Sequence, residues 1–193
     1  VRTGAIVLAA GASRRFGSPK QLAELDGRPL LAHVLDAVTA VPALDPVILV
    51  LGAHHEPIRE RVDPGRAQVA LCLGWEEGMA ASLRAGLAAA TAEHDLDAVL
   101  VVLGDTPRLE TDVVREVLAA ARAAPPAVPV RALYDGRPGH PVVLPRQLFA
   151  AVGELTGDEG ARELLDGAPV VLVAAGGPGG LDVDTPESLE ALR

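Results

Sequence analysis

Short apolar runs alternate with stretches of helical spacing through the first two-thirds of the chain. Residues 5–10 form a continuous apolar run closed by Gly11, 47–51 a second closed by Gly52, 69–73 a third, and 98–103 the most apolar, closed by Gly104. Between them lie helical patterns. Residues 30–41 follow Pro29 and carry Leu31, Val34, Leu35 and Val38 on one face. A short pattern covers 56–62, and the alanine-rich 79–92 has Leu83 and Leu87 four apart. Residues 111–122 carry Val113, Val114, Val117 and Leu118, with Asp112 near the start, where the helix dipole favours negative charge. This β-α alternation predicts a parallel sheet with helices on both faces, and strands apolar on both sides suit a sheet covered twice.

From Pro125 the rhythm breaks. Runs at 128–133 and 142–144 flank a Gly/Pro-rich turn at 135–141 and predict an antiparallel excursion. A strand at 170–173, a glycine loop at 176–180 and a last helix at 186–192 complete the chain. The expectation is a three-layer α/β fold with a mostly parallel central sheet, in one domain over 1–193.

Composition narrows the function. Seventeen Lys and Arg residues against 26 Asp and Glu leave a net charge of −9. A diffuse acidic surface argues against long polyanions such as DNA or RNA. It leaves room for one small anionic ligand held by a few local cations and a metal. The single Cys72 excludes an internal disulfide and a Cys-rich metal site, and fits a reducing cytosol. No apolar run approaches the ~20 residues that cross a bilayer, and the first ten residues read as a strand. The expectation is a soluble cytoplasmic protein without a membrane partner.

Three segments carry candidate chemistry. The first, Leu8-Ala9-Ala10-Gly11-Ala12-Ser13-Arg14-Arg15-Phe16-Gly17-Ser18-Pro19-Lys20, follows the first strand, at the carboxyl edge where parallel sheets bind ligands. Gly11 and Gly17 let the backbone approach a ligand, exposed N–H groups make an anion nest, and Arg15 and Lys20 add positive charge. A Walker loop fails because Ser18 and Pro19 separate Gly17 from Lys20; a dinucleotide fingerprint fails at Ser13 and Phe16; a hydrolase elbow fails at Arg15. The second segment, Leu103-Gly104-Asp105-Thr106-Pro107, ends the fourth strand with a carboxylate suited to a hard divalent cation. The third, Asp182-Val183-Asp184-Thr185-Pro186, places Asp182 and Asp184 on one face of an extended segment. Taken singly, each Asp motif is also a good turn and helix start; together with the loop they describe a metal-dependent phosphoryl or nucleotidyl site.

These segments resemble the nucleotidyltransferases of molybdenum cofactor maturation, within the wider group of sugar and cofactor nucleotidyltransferases. The likeness runs from the Leu-Ala-Ala-Gly-x-Ser-x-Arg-x-Gly-x-x-Lys loop to the closing Asp-x-Asp-Thr-Pro. Matching pieces are Trp-x-x-Gly-Met-x-x-Ser-Leu at 75–83, Gly-His-Pro-Val at 139–142 and Gly-Asp-x-Gly-Ala-Arg at 157–162, the last two pointing to the cytidylyltransferase branch. Cys72, Leu73 and Gly74 stand where that family often has asparagine and proline.

The resemblance implies a Rossmann-like nucleotidyltransferase domain, with a nucleotide half over 1–122 and an acceptor half over 123–193. It implies Arg15 and Lys20 as catalytic cations, and Leu8, Ala9, Ala10, Gly11, Ser13, Gly17, Gly78, Met79 and Ser82 as the nucleotide site. Asp105 and Asp184, supported by Asp182, would hold Mg²⁺; His140, Asp158 and Arg162 would face the acceptor. The implied substrates are a nucleoside triphosphate, CTP favoured, and a molybdopterin-type acceptor, with a molybdenum hydroxylase as a possible partner. A phosphate acceptor is already an anion, so no general base is required.

The Ala9-Ala10-Gly11 stretch bears on the base, because guanylyl members of this family usually show Gly-Gly before the serine motif. An Ala10 methyl would narrow the base site and favour a pyrimidine. A guanylyltransferase, another small-phosphate or sugar-phosphate transferase, and a non-catalytic cofactor-delivery module stay as alternatives. His140, between Gly139 and Pro141, is expected in a rigid, accessible turn, either facing the acceptor or merely solvated. His54 and His55 read as surface or loop residues, His33 and His94 as helix positions without a chemical role, and Trp75 as a stacking platform or a core anchor.

Overall fold

A computed structural model of the chain covers residues 1–193. The chain runs β1 (Thr3–Ala9), a hairpin of β2 (Glu24–Leu25) and β3 (Arg28–Pro29), α1 (Leu30–Thr39), β4 (Leu44–Leu51), α2 (His55–Arg61), β5 (Gln68–Leu71), α3 (Met79–Thr91), β6 (Ala98–Leu103) and α4 (Thr111–Ala123). It continues through β7 (Val130–Tyr134), β8 (Arg137–Pro145), α5 (Phe149–Glu154), β9 (Val171–Ala175) and α6 (Pro186–Glu190). The seven-stranded sheet has the order β5-β4-β1-β6-β8-β7-β9. β8 alone is reversed, antiparallel to both β6 and β7. The expected α/β architecture with a mostly parallel sheet is therefore present.

Unbroken apolar strands serve two faces at once. Ala5, Val7, Leu49 and Leu100 enter the core beneath α1 and α4 with Leu31, Val34, Val114 and Val117. Ile6, Val50 and Val101, on alternate positions, enter the opposite core with Leu83 and Leu87 of α3. Gly86 lets α3 sit close: a Cβ there would lie 2.5 Å from Ile6 Cγ2 and 2.9 Å from Val50 Cγ2. A third, small cluster joins Leu25 and Leu30 to Val183 and Leu189, with Phe16 packed against it. It ties the segment before α6 to the loop after β1.

Differences from the sequence reading lie in the short elements. Asp26 and Gly27, at φ 52° and 74°, turn the β2–β3 hairpin, whose strands of two residues are too short to show periodicity. The expected turn at 135–141 is only Asp135 and Gly136, at φ 48° and 77°, so His140 and Pro141 belong to β8 rather than to an accessible turn. The prolines misled because Pro138 and Pro141 lie beyond the β6 pairing of β8, which joins Ala98 through Val101 to Pro145 through Val142. A missing N–H costs little there. No helix is long and apolar enough to cross a membrane.

Candidate active site

An open cleft of about 530 Å³ lies at the carboxyl edge of β1 and β6. Its lining takes in Leu8, Ala9, Ala10, Gly11 and Ser13 of the loop, Arg15 and Lys20, Gly78, Met79 and Ser82 at the start of α3, and Asp105, Asp158, Asp182 and Asp184. Gly17, His140 and Arg162 are not in that lining.

The loop is held open by its own polar residues. Ser13 sits at φ 53°, and its carbonyl accepts from Phe16 N at 3.0 Å and Gly17 N at 3.1 Å, closing a tight turn around Arg14 and Arg15. Gly17, at φ 81°, occupies the left-handed region that this turn requires. Ser13 Oγ accepts from the Lys20 amide at 3.2 Å. The side chain of Gln21, only 2% exposed, donates from Nε2 to the carbonyls of Ala9 at 3.1 Å and Gly11 at 3.3 Å. His54 Nε2 donates to the Ala12 carbonyl at 3.0 Å. Gln21 and His54 thus brace the nest from behind. Neither Gln21 nor His54 carries a local signal of this role in the sequence.

The aspartates arrive by backbone design. Gly104 N donates to the Leu8 carbonyl at 2.8 Å, and Val183 N to the Asp105 carbonyl at 2.9 Å. Val183, with no exposed surface, is sunk in the small cluster, so Asp182 and Asp184 on either side of it turn towards the cleft. Thr185 then caps α6 with Ser188 in a capping box.

Lys20 joins these parts. Its Nζ lies 2.5 Å from Asp105 Oδ2 and 2.9 Å from Asp184 Oδ1, while Arg15 donates to Asp184 Oδ2 at 2.7 Å. Lys20 is also the only lysine of the chain's 17 Lys and Arg residues. Burial works against its charge, but Asp105 and then Asp184 outweigh it and raise its pKa. Burial raises the Asp105 carboxyl above the usual range despite Lys20, with Asp182 and Asp184 adding repulsion. For Asp184 burial is the largest influence and opposes the charge, but Lys20 and Arg15 together hold its pKa low.

Asp105 Oδ1 is buried with no hydrogen-bond partner. An orphaned buried carboxylate oxygen is a suitable donor for a hard cation. No three Asp, Glu, His or Cys side chains converge tightly enough to enclose a metal by themselves. That fits Mg²⁺, which is commonly held by one or two carboxylates with substrate phosphate and water completing the shell.

One sequence expectation about the cleft changes. Ala10 is 3% exposed, and a Cβ on Gly52 would come within 2.9 Å of its methyl, so that methyl packs against the end of β4 rather than narrowing a base site. At the start of α3, Ala80 N donates to the Gly157 carbonyl at 3.0 Å. Gly78, at φ 105°, makes room for that contact, and Asp158 lies beside it. His140 is half-buried in β8; its carbonyl accepts from Tyr134 Oη at 2.9 Å. Burial and then the Arg131 guanidinium push its imidazole pKa down to about 4. Trp75 lines the cleft, as either of its two expected roles allows.

Known proteins are similar to this chain in sequence and fold. Residues 5–172 match the MobA-like NTP transferase domain. The chain is 33% identical over 196 residues to nicotine blue oxidoreductase of Paenarthrobacter nicotinovorans, covering 97% of this chain and 94% of that protein. It is 35% identical over 138 residues to 2-C-methyl-D-erythritol 4-phosphate cytidylyltransferase of Dehalococcoides mccartyi, covering 69% and 59%. The crystal structure of Rv0371c from Mycobacterium tuberculosis H37Rv superposes with a TM-score of 0.86 at 30% identity, covering 100% of this chain and 97% of that one. Its manganese complex gives 0.83 at 27% identity, covering 100% and 98%. With the loop after β1, the ammonium between two carboxylates and a match over most of its length, the chain belongs to the MobA-like NTP transferase family and is a transferase enzyme.

Proposed function

We propose that the protein transfers CMP from CTP to molybdopterin, or to its molybdenum-loaded form, in a Mg²⁺-dependent reaction that releases pyrophosphate. The observation that carries the nucleotidyl reading is the Lys20 ammonium between Asp105 and Asp184 in a cleft lined by the glycine-containing loop after β1. The CTP and pterin assignments are supported by the likeness at 139–142 and 157–162, and the metal by the orphaned Asp105 oxygen and by the manganese complex of the related Rv0371c.

In this reading an oxygen of the acceptor phosphate attacks the α-phosphorus of the triphosphate. The bond from that phosphorus to the bridging oxygen breaks, and its electron pair leaves with pyrophosphate. Two anions must meet, so charge neutralisation dominates. The loop amides and Arg15 bind the triphosphate, Gln21 keeps the loop carbonyls turned away from it, and Lys20 opposes the charge that develops on the leaving group. Asp105 and Asp184 would hold Mg²⁺, with Asp182 as support; when bound it supplies Lewis-acid polarisation of the phosphate. The nucleotide half spans 1–122, and the acceptor half, 123–193, offers His140, Asp158 and Arg162. A molybdenum hydroxylase is the proposed receiver of the product, and the cytoplasm its setting.

The relative from Paenarthrobacter nicotinovorans carries a redox name. Here the loop departs from the Gly-x-Gly-x-x-Gly turn of dinucleotide sites at Ser13 and Phe16, and the cleft sets Lys20 and Arg15 against Asp105 and Asp184. A nucleotide panel scored for pyrophosphate release, with and without molybdopterin, tests the proposal. Release with CTP and pterin supports it; nucleotide binding without turnover in any pterin arm overturns it in favour of a delivery module.

A further inference from the structure

Tyr134, the chain's only tyrosine, ends β7 and is buried, yet it does not line the cleft. Three glycines close around its ring. A Cβ on Gly180 would lie 2.4 Å from Tyr134 Cδ2 and 2.7 Å from Cγ, so no side chain fits there. One on Gly139 would crowd Cδ2 at 3.0 Å, and one on Gly179 would crowd Cε1 at 3.2 Å and Oη at 3.3 Å. Glycine is what lets the backbone come this close to the ring. The ring is fixed at its far end as well, because Oη donates to the His140 carbonyl at 2.9 Å.

Gly179 and Gly180 lead directly into the aspartates of the cleft. β9 pairs with β7 as far as Ala175, which lies level with Tyr134. The chain then turns at Gly177, φ 72°, makes one 3₁₀ turn over Gly177–Gly180 against the ring, and enters Leu181-Asp182-Val183-Asp184. Gly179 is wedged: its Cβ would also lie 3.2 Å from the carbonyl of Arg108, in the loop that follows Asp105. Downstream, burial of Val183 and its N–H bond to the Asp105 carbonyl hold the segment. Upstream, Leu181 is exposed, so the first firm support before Asp182 is the grip of Tyr134 on Gly180.

We propose that Tyr134 is a positioning residue whose ring, gripped by Gly179 and Gly180, sets where Asp182 and Asp184 stand against Lys20 and the metal. The ring carries this role rather than the hydroxyl, since Gly180 meets Cγ and Cδ2. A flat, rigid side chain gives the loop one resting place, whereas a flexible aliphatic one would let it slide. The consequence is felt at the carboxylates, because a group displaced by about 1 Å loses much of its effect at a reacting centre, and Mg²⁺ tolerates little departure from its preferred geometry. The metal part rests on the transferase reading above; the contact of Asp184 with Lys20 does not.

Two measurements on the full chain test this. The ¹³C resonance of reductively methylated Lys20, without metal or nucleotide, reports the Asp184 contact. Electron paramagnetic resonance gives Mn²⁺ affinity, with and without a saturating α,β-methylene analogue of CTP. Tyr134→Leu and Gly180→Ala should each move the resonance and weaken Mn²⁺ about tenfold or more. Tyr134→Phe keeps the ring and should bind Mn²⁺ within about twofold of the parent. Gly180→Ala should add little once Tyr134→Leu has removed the ring it strikes. Leu87→Ala, in the core on the other face of the sheet, lowers stability and should change neither readout. An unmoved resonance in both Tyr134→Leu and Gly180→Ala overturns the proposal, as does an equal change in Leu87→Ala. A loss in Tyr134→Phe equal to that in Tyr134→Leu overturns it too, assigning the effect to the His140 bond. If the parent takes up no Mn²⁺ in either arm, the metal assignment falls and the Lys20 resonance still decides the role of Tyr134. Gly180 is not among the glycines at positive φ, so Gly180→Ala decides alone if Tyr134→Leu folds poorly.

Discussion

Lys20 Nζ lies 2.5 Å from Asp105 Oδ2, and the same ammonium reaches Asp184 Oδ1 at 2.9 Å, so one cation separates two carboxylates that arrive some eighty positions apart in sequence. Lys20 and Asp105 have side chains only 14% and 16% exposed, which keeps water from screening the pair. Arginine supplies every other basic side chain here, yet a planar fork cannot stand at one point between two carboxylates as a compact ammonium does.

Lys20→Ala should lower turnover by a factor of about 10²–10³, as the loss of a group that meets developing charge does. It should also cost about 1–3 kcal/mol of stability, because buried Asp105 loses its partner. Lys20→Arg should not restore turnover. Steady-state kinetics and urea unfolding check both; wild-type kcat/KM in either variant removes Lys20 from the chemistry.

A single lysine also makes the metal question readable without turnover. After reductive ¹³C-methylation the Lys20 resonance stands apart from the amino-terminal one and should move on addition of Mg²⁺ with nucleotide, as Asp105 and Asp184 exchange one cation for another. In Asp105→Asn the shift should vanish and metal-dependent turnover with it. A full shift in that variant would place the metal elsewhere.

Acid should weaken the fold through His140. Its folded pKa of about 4 lies below the ordinary 6.5, so the unfolded chain binds the extra proton first. Stability from this group is complete above pH 6.5 and is lost as pH falls towards 4, by up to about 3 kcal/mol. Urea midpoints measured from pH 7.5 to 4 should decline less steeply in His140→Asn; an identical slope refutes the assignment.

Gly52→Ala should disturb the nucleotide loop from beneath. A Cβ there would meet the Ala10 carbonyl at 2.5 Å and Trp75 Cβ at 2.7 Å, so the loop or Trp75 must shift. The expected cost is about 1–3 kcal/mol of stability with weaker nucleotide binding. Ala10→Gly, by contrast, should leave the CTP-to-GTP ratio unchanged, since that methyl faces Gly52. A marked gain of GTP use would restore the steric account.

The sheet and its helices were legible because burial on both faces writes itself into uninterrupted runs such as 98–103, which match β6 residue for residue. The loop and the Asp182-Val183-Asp184 alternation were legible because local spacing fixes their geometry. What sequence order hid is contact across distance: Gln21 and His54 bracing the loop, and Val183 N bonding to the Asp105 carbonyl. The Ala10 methyl was misread because its direction depends on Gly52, forty-two positions away.

The reversed strand has a consequence for how such a site diversifies. In an all-parallel sheet only strand ends reach the working edge. Because β8 runs backwards, its first residues, from Arg137 to His140, meet the ends of β1, β6 and β7 on one rim. The two-residue turn at Asp135 and Gly136 overhangs that rim. Residues inserted there would reshape the rim beside the cleft, while the pairing of β1 with β4 and β6 kept its register. One hairpin can therefore vary the rim while the strands that carry the loop and Asp105 stay fixed.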